Sequence, residues 1–385
     1  MGFLKKLFQK YYLLISFLLI SGCTQPIAFR NLQIGNDGYF MFGKATERNF
    51  FNDISISDSL KLLWTAETNG SQSYTSIVVY NDALFVNDLS GRIYAFDRKT
   101  GKLIGYEKLN GAVSLTPVVN ESRLYFIYDE LNKKHCYLQC YDLLNGKVLS
   151  EAYIEGNVTN ELLKVKDGIL VLTNNGELIK YNFYAFKMWS GKTGTTVKCS
   201  PASDGKSVIF GNQSGELISA AIDSGKINYR SKICSAIEGG LTINEKNVFF
   251  GDVDGYMYCT DAANGNIKWK FNSGTKILVT PVVNSTQLFF GNLAGDIYCL
   301  DKNNGKLIWK IKTAGVINTT PLLFNNYLIQ PDLNKKIYII NSNEGKISKT
   351  LEFERRSKLS PVYYDGILYV GTDKGIINAY QTYDK

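Results

Sequence analysis

The chain has 385 residues with 43 Lys and Arg against 35 Asp and Glu, which gives a formal net charge of +8. This charge is not concentrated in a basic run, so the sequence predicts no nucleic-acid partner. The single histidine, His135, is expected in a long surface loop, and one histidine leaves almost nothing for catalysis or metal binding that depends on several histidines. We therefore expect no metal site and no catalytic residues.

The N-terminus has the order of a bacterial secretion signal. Lys5, Lys6 and Lys10 precede the apolar run Tyr11–Ile20, which is too short to cross a membrane as a helix. The run ends at Ser21-Gly22-Cys23, which resembles a lipoprotein cleavage site. The sequence thus predicts a signal peptide at 1–22 and lipidation of Cys23, and acyl chains at Cys23 would anchor the protein to a membrane.

Residues 23–58 follow as the lipidated N-terminus and a linker. Parts of this linker, Tyr39–Phe42 and Phe50-Phe51, are too apolar for a solvated tether. We expect them to dock on the folded domain or on a partner.

A sequence motif of about fifteen residues, here called the phrase, is then repeated through the rest of the chain. It reads GDIYCLDKNNGKLIW at Gly295–Trp309 and GYMYCTDAANGNIKW at Gly255–Trp269. Its first position recurs eight times, at intervals of 39 or 40 residues with one of 45. A period of this size is typical of a stacked array of small structural units.

Each unit predicts about four short strands joined by tight turns, with no helical pattern between them. A Thr-Pro or Ser-Pro pair precedes the first strand in most units, where the missing proline N–H is tolerated. Four-stranded units at this period predict an all-β, eight-bladed β-propeller over 59–385. The eighth unit ends before its outer strand, and Lys61–Glu67 resembles that missing strand. We expect this N-terminal strand to close the last blade.

The repeated Asp and Trp residues of the phrase have a structural interpretation. Asp at the end of a strand accepts hydrogen bonds that shape the following turn, and Trp packs between blades. We assign these structural roles to Trp64, Asp97, Asp142, Asp261, Trp269, Asp301 and Trp309. The remaining cysteines are expected to be mostly free and buried.

The units resemble the repeat of PQQ-type propellers, for example Leu300–Trp309. Together with the lipobox-like Cys23 and the count of eight, the whole chain resembles the BamB family of outer-membrane lipoproteins. That resemblance implies a non-enzymatic scaffold at the outer membrane, facing the periplasm, that assists barrel assembly. The implied partners are the periplasmic domains of the barrel insertase and nascent barrel proteins. In the family a pair of acids in a middle loop contacts the insertase, and here Glu238 stands at one place and Ala236 at the other.

Two other functions remain open at this stage. Quinoprotein dehydrogenases use the same blades to hold pyrroloquinoline quinone (PQQ), but they resemble one another in a vicinal Cys-Cys pair that this chain lacks. We therefore expect no PQQ and no other cofactor. A ligand-binding or sensory propeller is the third class, and no cluster of residues in the sequence assigns it a site.

Overall fold

The computed structural model describes residues 25–30, 35 and 37–383. Within these residues the chain consists of strands and their connections. No helix of the described part is long and apolar enough to cross a membrane. The predicted signal peptide and Cys23 lie outside the described residues.

Eight antiparallel sheets form the propeller, numbered here blades 1 to 8 in chain order. Most residues of the first strands are buried, whereas residues of the fourth strands alternate between exposed and less exposed positions, so the first strand lies innermost. From innermost to outermost the strands are Val78–Tyr80, Ala83–Asp88, Arg92–Asp97 and Leu103–Lys108 in blade 1; Val118–Asn120, Arg123–Glu130, His135–Asp142 and Lys147–Glu155 in blade 2; Leu163–Val165, Gly168–Leu172, Glu177–Tyr181 and Lys187–Lys192 in blade 3; Ala202–Ser203, Ser207–Gly211, Glu216–Ala221 and Ile227–Lys232 in blade 4; Leu241–Asn244, Asn247–Gly251, Tyr256–Asp261 and Ile267–Asn272 in blade 5; Val282–Val283, Gln287–Gly291, Asp296–Asp301 and Leu307–Lys312 in blade 6; Leu322–Phe324, Tyr327–Pro331, Lys336–Asn341 and Ile347–Glu352 in blade 7; and Val362–Tyr364, Ile367–Gly371, Ile376–Gln381 and Lys61–Glu67 in blade 8.

The ring closes as the sequence predicted. Lys61–Glu67 pairs antiparallel with Ile376–Gln381 and forms the outer strand of blade 8. A bridge between Ser76 and Ser360 joins blade 1 to blade 8. The prediction of an all-β, eight-bladed propeller closed by the N-terminal strand is confirmed. We call the face that carries the hairpins between first and second strands the lower face, and the opposite face the upper face.

The repeated Trp and Gly of the phrase meet across several blade boundaries. Trp309 Nε1 in blade 6 donates to Ser342 O in blade 7 at 2.8 Å. A Cβ on Gly345, the turn glycine of blade 7, would lie 2.7 Å from the Trp309 ring. Trp269 and Trp64 occupy the equivalent slots against the turn glycines of the following blades. The glycine is therefore retained because it leaves room for the tryptophan of the preceding unit.

The same contact explains the unit that lacks the turn glycine. Blade 3 has Phe186 at that position, and the preceding blade has the small Ser150 where others have Trp. Ser150 Oγ donates to Tyr184 O at 2.6 Å, so no ring has to fit there. Between blades 1 and 2 the space that Trp fills elsewhere is occupied by the backbone of the N-terminal segment. A Cβ on Gly105, which stands at the Trp position of blade 1, would lie 2.5 Å from Pro26 O.

The Asp of the phrase lies at the turn between the third and fourth strands in blades 1, 2, 5 and 6. Asp97 Oδ1 accepts from the Thr100 N–H at 2.7 Å, and Asp301 Oδ1 accepts from the Asn303 N–H at 2.8 Å. Asp142 and Asp261 accept from the N–H two residues ahead, in the same way. These bonds hold the turn in the shape that the following glycine completes.

The segment 37–58, here called the channel segment, runs around the inner strands at the lower face. Gly38–Tyr39 pairs with the inner strand of blade 1, and Phe51–Asn52 pairs in parallel with that of blade 7. Between them it accepts backbone N–H groups of inner strands in several blades; the donors are Val119, Ser203, Ile243, Val283 and Leu323. These N–H groups belong to strand edges that would otherwise face the channel unpaired.

Candidate functional site

A ring of side chains surrounds the channel just above the channel segment. In each blade its member is the residue that precedes the proline before the first strand, or that precedes the residue equivalent to that proline. Its members are mostly hydroxyl residues: Ser76, Thr116, Glu161, Ser200, Gly240, Thr280, Thr320 and Ser360. At four places the backbone N–H of one member donates to the side chain of the next, as Ser76 does to Thr116 at 3.0 Å and Thr280 does to Thr320 at 3.2 Å. This ring joins neighbouring blades near the axis.

Glu161 replaces the hydroxyl residue in blade 3 and remains part of the ring. Its Oε2 accepts from the Thr116 N–H at 2.9 Å, and its own N–H donates to Ser200 Oγ at 3.1 Å. The side chain is buried at the floor of a cavity of about 300 Å³ that opens to the upper face. No other blade has a carboxyl group at this position of the ring.

Arg48 of the channel segment lies buried close to Glu161. Its guanidinium donates to four backbone carbonyl groups: Phe42, Glu161, Leu162 and Pro201. The bonds to Leu162 O and Pro201 O measure 2.6 and 3.0 Å. Burial lowers the pKa of Arg48 to about 10, so the group keeps its charge at neutral pH. Arg48 therefore ties the channel segment to blades 3 and 4.

Glu161 is expected to make stability depend on pH. Burial raises its pKa to about 7, against the opposing effects of Arg48 and the Thr116 hydrogen bonds. A carboxyl group whose pKa is raised in the folded state makes its full contribution to the free energy of unfolding below its ordinary pKa. That contribution is lost as the pH rises through the pKa of the folded state. Between pH 4.5 and 7.5 the loss amounts to about 3 kcal/mol. Urea unfolding at several pH values should show this loss in the wild type and not in Glu161→Gln.

The matched control for this experiment is Glu354→Gln, which changes an exposed carboxylate of the loop before blade 8. Its pH profile should follow that of the wild type. If Glu161→Gln retains the full pH dependence of the wild type, Glu161 is not the group responsible.

Glu238, the predicted partner residue, lies at the upper mouth of the same cavity. Its two carboxylate oxygens contact Lys198 Nζ at 3.2 Å and Lys276 Nζ at 2.5 Å. Burial alone raises the pKa of Glu238, but the two ammonium groups outweigh it and hold the pKa below its ordinary value. Glu238 is thus ionised and clamped between two lysines, and Ala236, two residues before it, carries no charge.

Blade 2 departs from the repeat most strongly. Its second, third and fourth strands are longer than those of the other blades. The extra residues of the second strand and the hairpin after it account for the interval of 45 residues. On one face Tyr128, Tyr137 and Tyr153 form a row across the three strands, with ring centroids 5.3 and 5.9 Å apart. We call these three residues the tyrosine row. Tyr153 is 58% exposed.

His135 lies beside the tyrosine row and not in a loop. The sequence predicts a long loop in this part of blade 2, and this prediction is wrong, because His135 begins the third strand. Its Nε2 lies 2.7 Å from Glu130 Oε2, and its ring centroid lies 5.0 Å from that of Tyr153. The extra residues extend the hairpin as regular strands because alternating apolar residues on the other face, such as Leu138 and Ile154, pack into the core.

A second exposed surface covers the outer edge of blades 2 and 3. Several apolar side chains there are between 41% and 63% exposed: Leu144, Val148, Leu149, Tyr184, Phe186 and Met188. Tyr184 and Phe186 stack on each other, and Ser150 Oγ holds the two blades together at this edge. Exposed aromatic and aliphatic groups of this kind mark surfaces that bind other proteins.

No group of three or more His, Cys, Asp or Glu residues in the described part of the chain could hold a metal ion. The floor of the mouth cavity is formed by Phe42 and Glu161, with Arg48 fully bonded below them. All six described cysteines are free, and five of them are buried.

The sequence therefore identified the surroundings of this region better than its centre. It singled out Glu238 and the insertion near His135, which lie at the mouth and on blade 2. It missed the hydroxyl ring, Glu161 and Arg48. One signal for Glu161 was present in the sequence. When the units are aligned on their Ser-Pro and Thr-Pro pairs, Glu161-Leu162 takes the place of such a pair, with an acid where most other units have a hydroxyl residue.

Comparison with solved structures shows the same architecture. BamB from Moraxella catarrhalis superposes with a TM-score of 0.72 at 14% identity, covering 84% of this chain and 100% of that one. The computationally designed Ika8 protein gives 0.71 at 14% identity, over 83% and 99% of the two chains. A quinohemoprotein alcohol dehydrogenase from Pseudomonas putida HK5 gives 0.78 at 10% identity, over 93% and 83%. At these identities the likeness shows the fold alone.

No curated protein sequence matches this chain significantly. A protein-family model, in contrast, matches residues 54–271 and 254–384, which together span the propeller. The description of that model is outer membrane protein assembly factor BamB. On this match the chain belongs to the BamB family of PQQ-like repeat propellers.

Proposed function

We propose that this protein is a non-enzymatic scaffold that assists the assembly and insertion of outer-membrane β-barrel proteins. The observation that carries this proposal is the family match over the whole propeller. The departures from the repeat support it, since they enlarge exposed surface: the tyrosine row and the apolar edge of blades 2 and 3. In this proposal Cys23 is acylated, the protein is held at the outer membrane, and the propeller faces the periplasm.

The two proposed partners use different parts of the propeller. Periplasmic domains of the barrel insertase contact the upper face near Glu238. Nascent barrel strands pair with an outer blade edge, and Lys147–Glu155 of blade 2 is the longest such edge. An edge strand presents N–H and C=O groups that can extend a sheet with a strand from another chain.

The test is affinity purification of the full-length lipoprotein from its native membranes, with crosslinking before solubilisation. The wild type should recover the barrel insertase, and Glu238→Arg should lower that recovery several-fold by placing like charges beside Lys198 and Lys276. Glu344→Arg, on the lower face, is the matched control. Recovery of a different complex without the insertase would refute the proposal.

A further inference from the structure

The lower face contains a cleft that the repeat alone does not predict. It has a volume of about 770 Å³ and is formed by the channel segment and the hairpins of blades 3 and 4. Its apolar surface comes from Phe40, Met41, Val165 and Ile222. Three lysines, Lys44, Lys164 and Lys166, also line it. The cleft thus combines an apolar wall with cationic groups.

Lys164 occupies a position that is uncharged in every other blade. It lies on the inner strand of blade 3, and the equivalent residues are Val79, Val119, Ser203, Ile243, Val283, Leu323 and Tyr363. Its Nζ lies 4.5 Å from the centroid of the Phe40 ring, and the side chain is partly buried. A lysine placed here loses hydration and forms no ion pair among the described residues. The charge of Glu121 acts on it from nearby, but Glu121 is itself paired with Arg123 at 3.9 Å. The lost hydration therefore costs stability unless a further anion is supplied.

Lys166 shows the same departure at the tip of the hairpin. The equivalent residues of the other seven blades are neutral or acidic: Asn81, Glu121, Gly205, Glu245, Ser285, Asn325 and Asp365. Blade 3 therefore has a lysine at two repeat positions where no other blade has one, and both line the same cleft. Lys44 adds a third from the channel segment, at a residue with φ of 65°.

The acids of the cleft do not neutralise these lysines. Asp167 is paired with the buried Lys180, whose Nζ lies 2.8 Å from its Oδ1. Asp223 is exposed and forms no ion pair with any lysine in the described part of the chain. Lys44, Lys164 and Lys166 contribute three positive charges, and Asp223 contributes one negative charge. Lys180 and Asp167 cancel each other, so the cleft has a net charge of +2.

We propose that this cleft binds a small amphiphilic anion, a phosphate or carboxylate group carried on an apolar body. The anionic group contacts Lys164 and Lys166, with Lys44 above it, and the apolar body lies against Phe40, Met41 and Ile222. Charge-assisted hydrogen bonds from ammonium groups are the strong contacts in such a site, and the apolar wall adds binding energy that a bare anion does not gain.

The test is isothermal titration calorimetry of the full-length protein in a non-ionic detergent, with hexyl phosphate, inorganic phosphate and hexanol as probes. Hexyl phosphate should bind, and inorganic phosphate and hexanol should each bind at least tenfold more weakly. Lys164→Met should weaken hexyl phosphate binding about tenfold or more, and Lys166→Gln a few-fold. Lys187→Gln, an exposed lysine on the outer strand of blade 3, is the control and should bind as the wild type does.

The combination Lys44→Gln and Lys166→Gln keeps the test decisive if Lys164→Met does not fold, because both residues are exposed. It should also weaken binding about tenfold. The proposal is overturned if hexyl phosphate fails to bind the wild type, if the lysine variants bind it equally well, or if inorganic phosphate binds as tightly. The outcome does not depend on the proposed scaffold function.

Discussion

Replacement of Arg48 by alanine is expected to lower the free energy of unfolding by about 3–5 kcal/mol, the range found when one partner of a buried charged network is removed. The guanidinium is 1% exposed and donates to four backbone carbonyl groups. Alanine would leave these carbonyls unpaired in the interior, together with a nearby carboxyl group that loses its cationic neighbour. It would also leave a cavity beside Phe42, whose ring faces the guanidinium.

Urea unfolding followed by tryptophan fluorescence measures this effect, and Arg355→Ala is the matched control. Arg355 lies exposed in the loop before blade 8, so its removal should change stability by less than about 0.5 kcal/mol. Arg48→Lys should recover only part of the loss, because one ammonium group cannot reach all four carbonyls. Equal unfolding midpoints for Arg48→Ala and Arg355→Ala would show that the channel segment contributes little to the stability of the propeller.

The ring architecture could be predicted from sequence because it depends on local periodic signals. Turn glycines and strands of alternating polarity occur in unit after unit, and Trp64 matches the motif position of Trp269 and Trp309. Because the signals are repeated, the ambiguity of any single strand matters little. The channel segment could not be predicted in this way. Its apolar residues indicated docking, but its path follows the unpaired N–H groups on the inner strands of several blades. That edge exists only after the ring has closed.

The residues of the candidate site were hidden for a related reason. Arg48 and Glu161 are 113 positions apart in the chain and meet only on the axis of the ring. Nothing in the local sequence of Arg48 distinguishes a buried arginine from an exposed one. Lys164 is detectable only when the inner strands of all blades are aligned, since its charge becomes exceptional by comparison with its seven equivalents.

Replacement of Trp309 by alanine is expected to lower the free energy of unfolding by about 3–5 kcal/mol, as for other large-to-small changes in a core. The indole lies between blades 6 and 7 over Gly345, and its Nε1 bond to Ser342 O is lost with the ring. Trp309→Phe should cost less, because the aromatic ring still fills the slot and only the hydrogen bond and part of the contact are removed.

Gly345 allows the ring contact itself to be isolated. Its φ is 69°, and an added Cβ would lie 2.7 Å from Trp309, so Gly345→Ala combines backbone strain with overpacking. Gly274 has a φ of 80° and no atom within 4 Å of an added Cβ, so Gly274→Ala measures the backbone strain alone. Gly345→Ala should therefore cost about 1–3 kcal/mol more than Gly274→Ala, the usual cost of overpacking.

The double variant decides whether the tryptophan and the glycine act as one unit of the repeat. In the Trp309→Ala background, the cost of Gly345→Ala should fall to that of Gly274→Ala, because the added methyl group then enters the space left by the ring. Urea unfolding of the four proteins in this cycle measures the coupling. Strictly additive costs would mean that the turn glycine is required by its backbone conformation alone. In that case the absence of both the glycine in blade 3 and the tryptophan before it would be a coincidence.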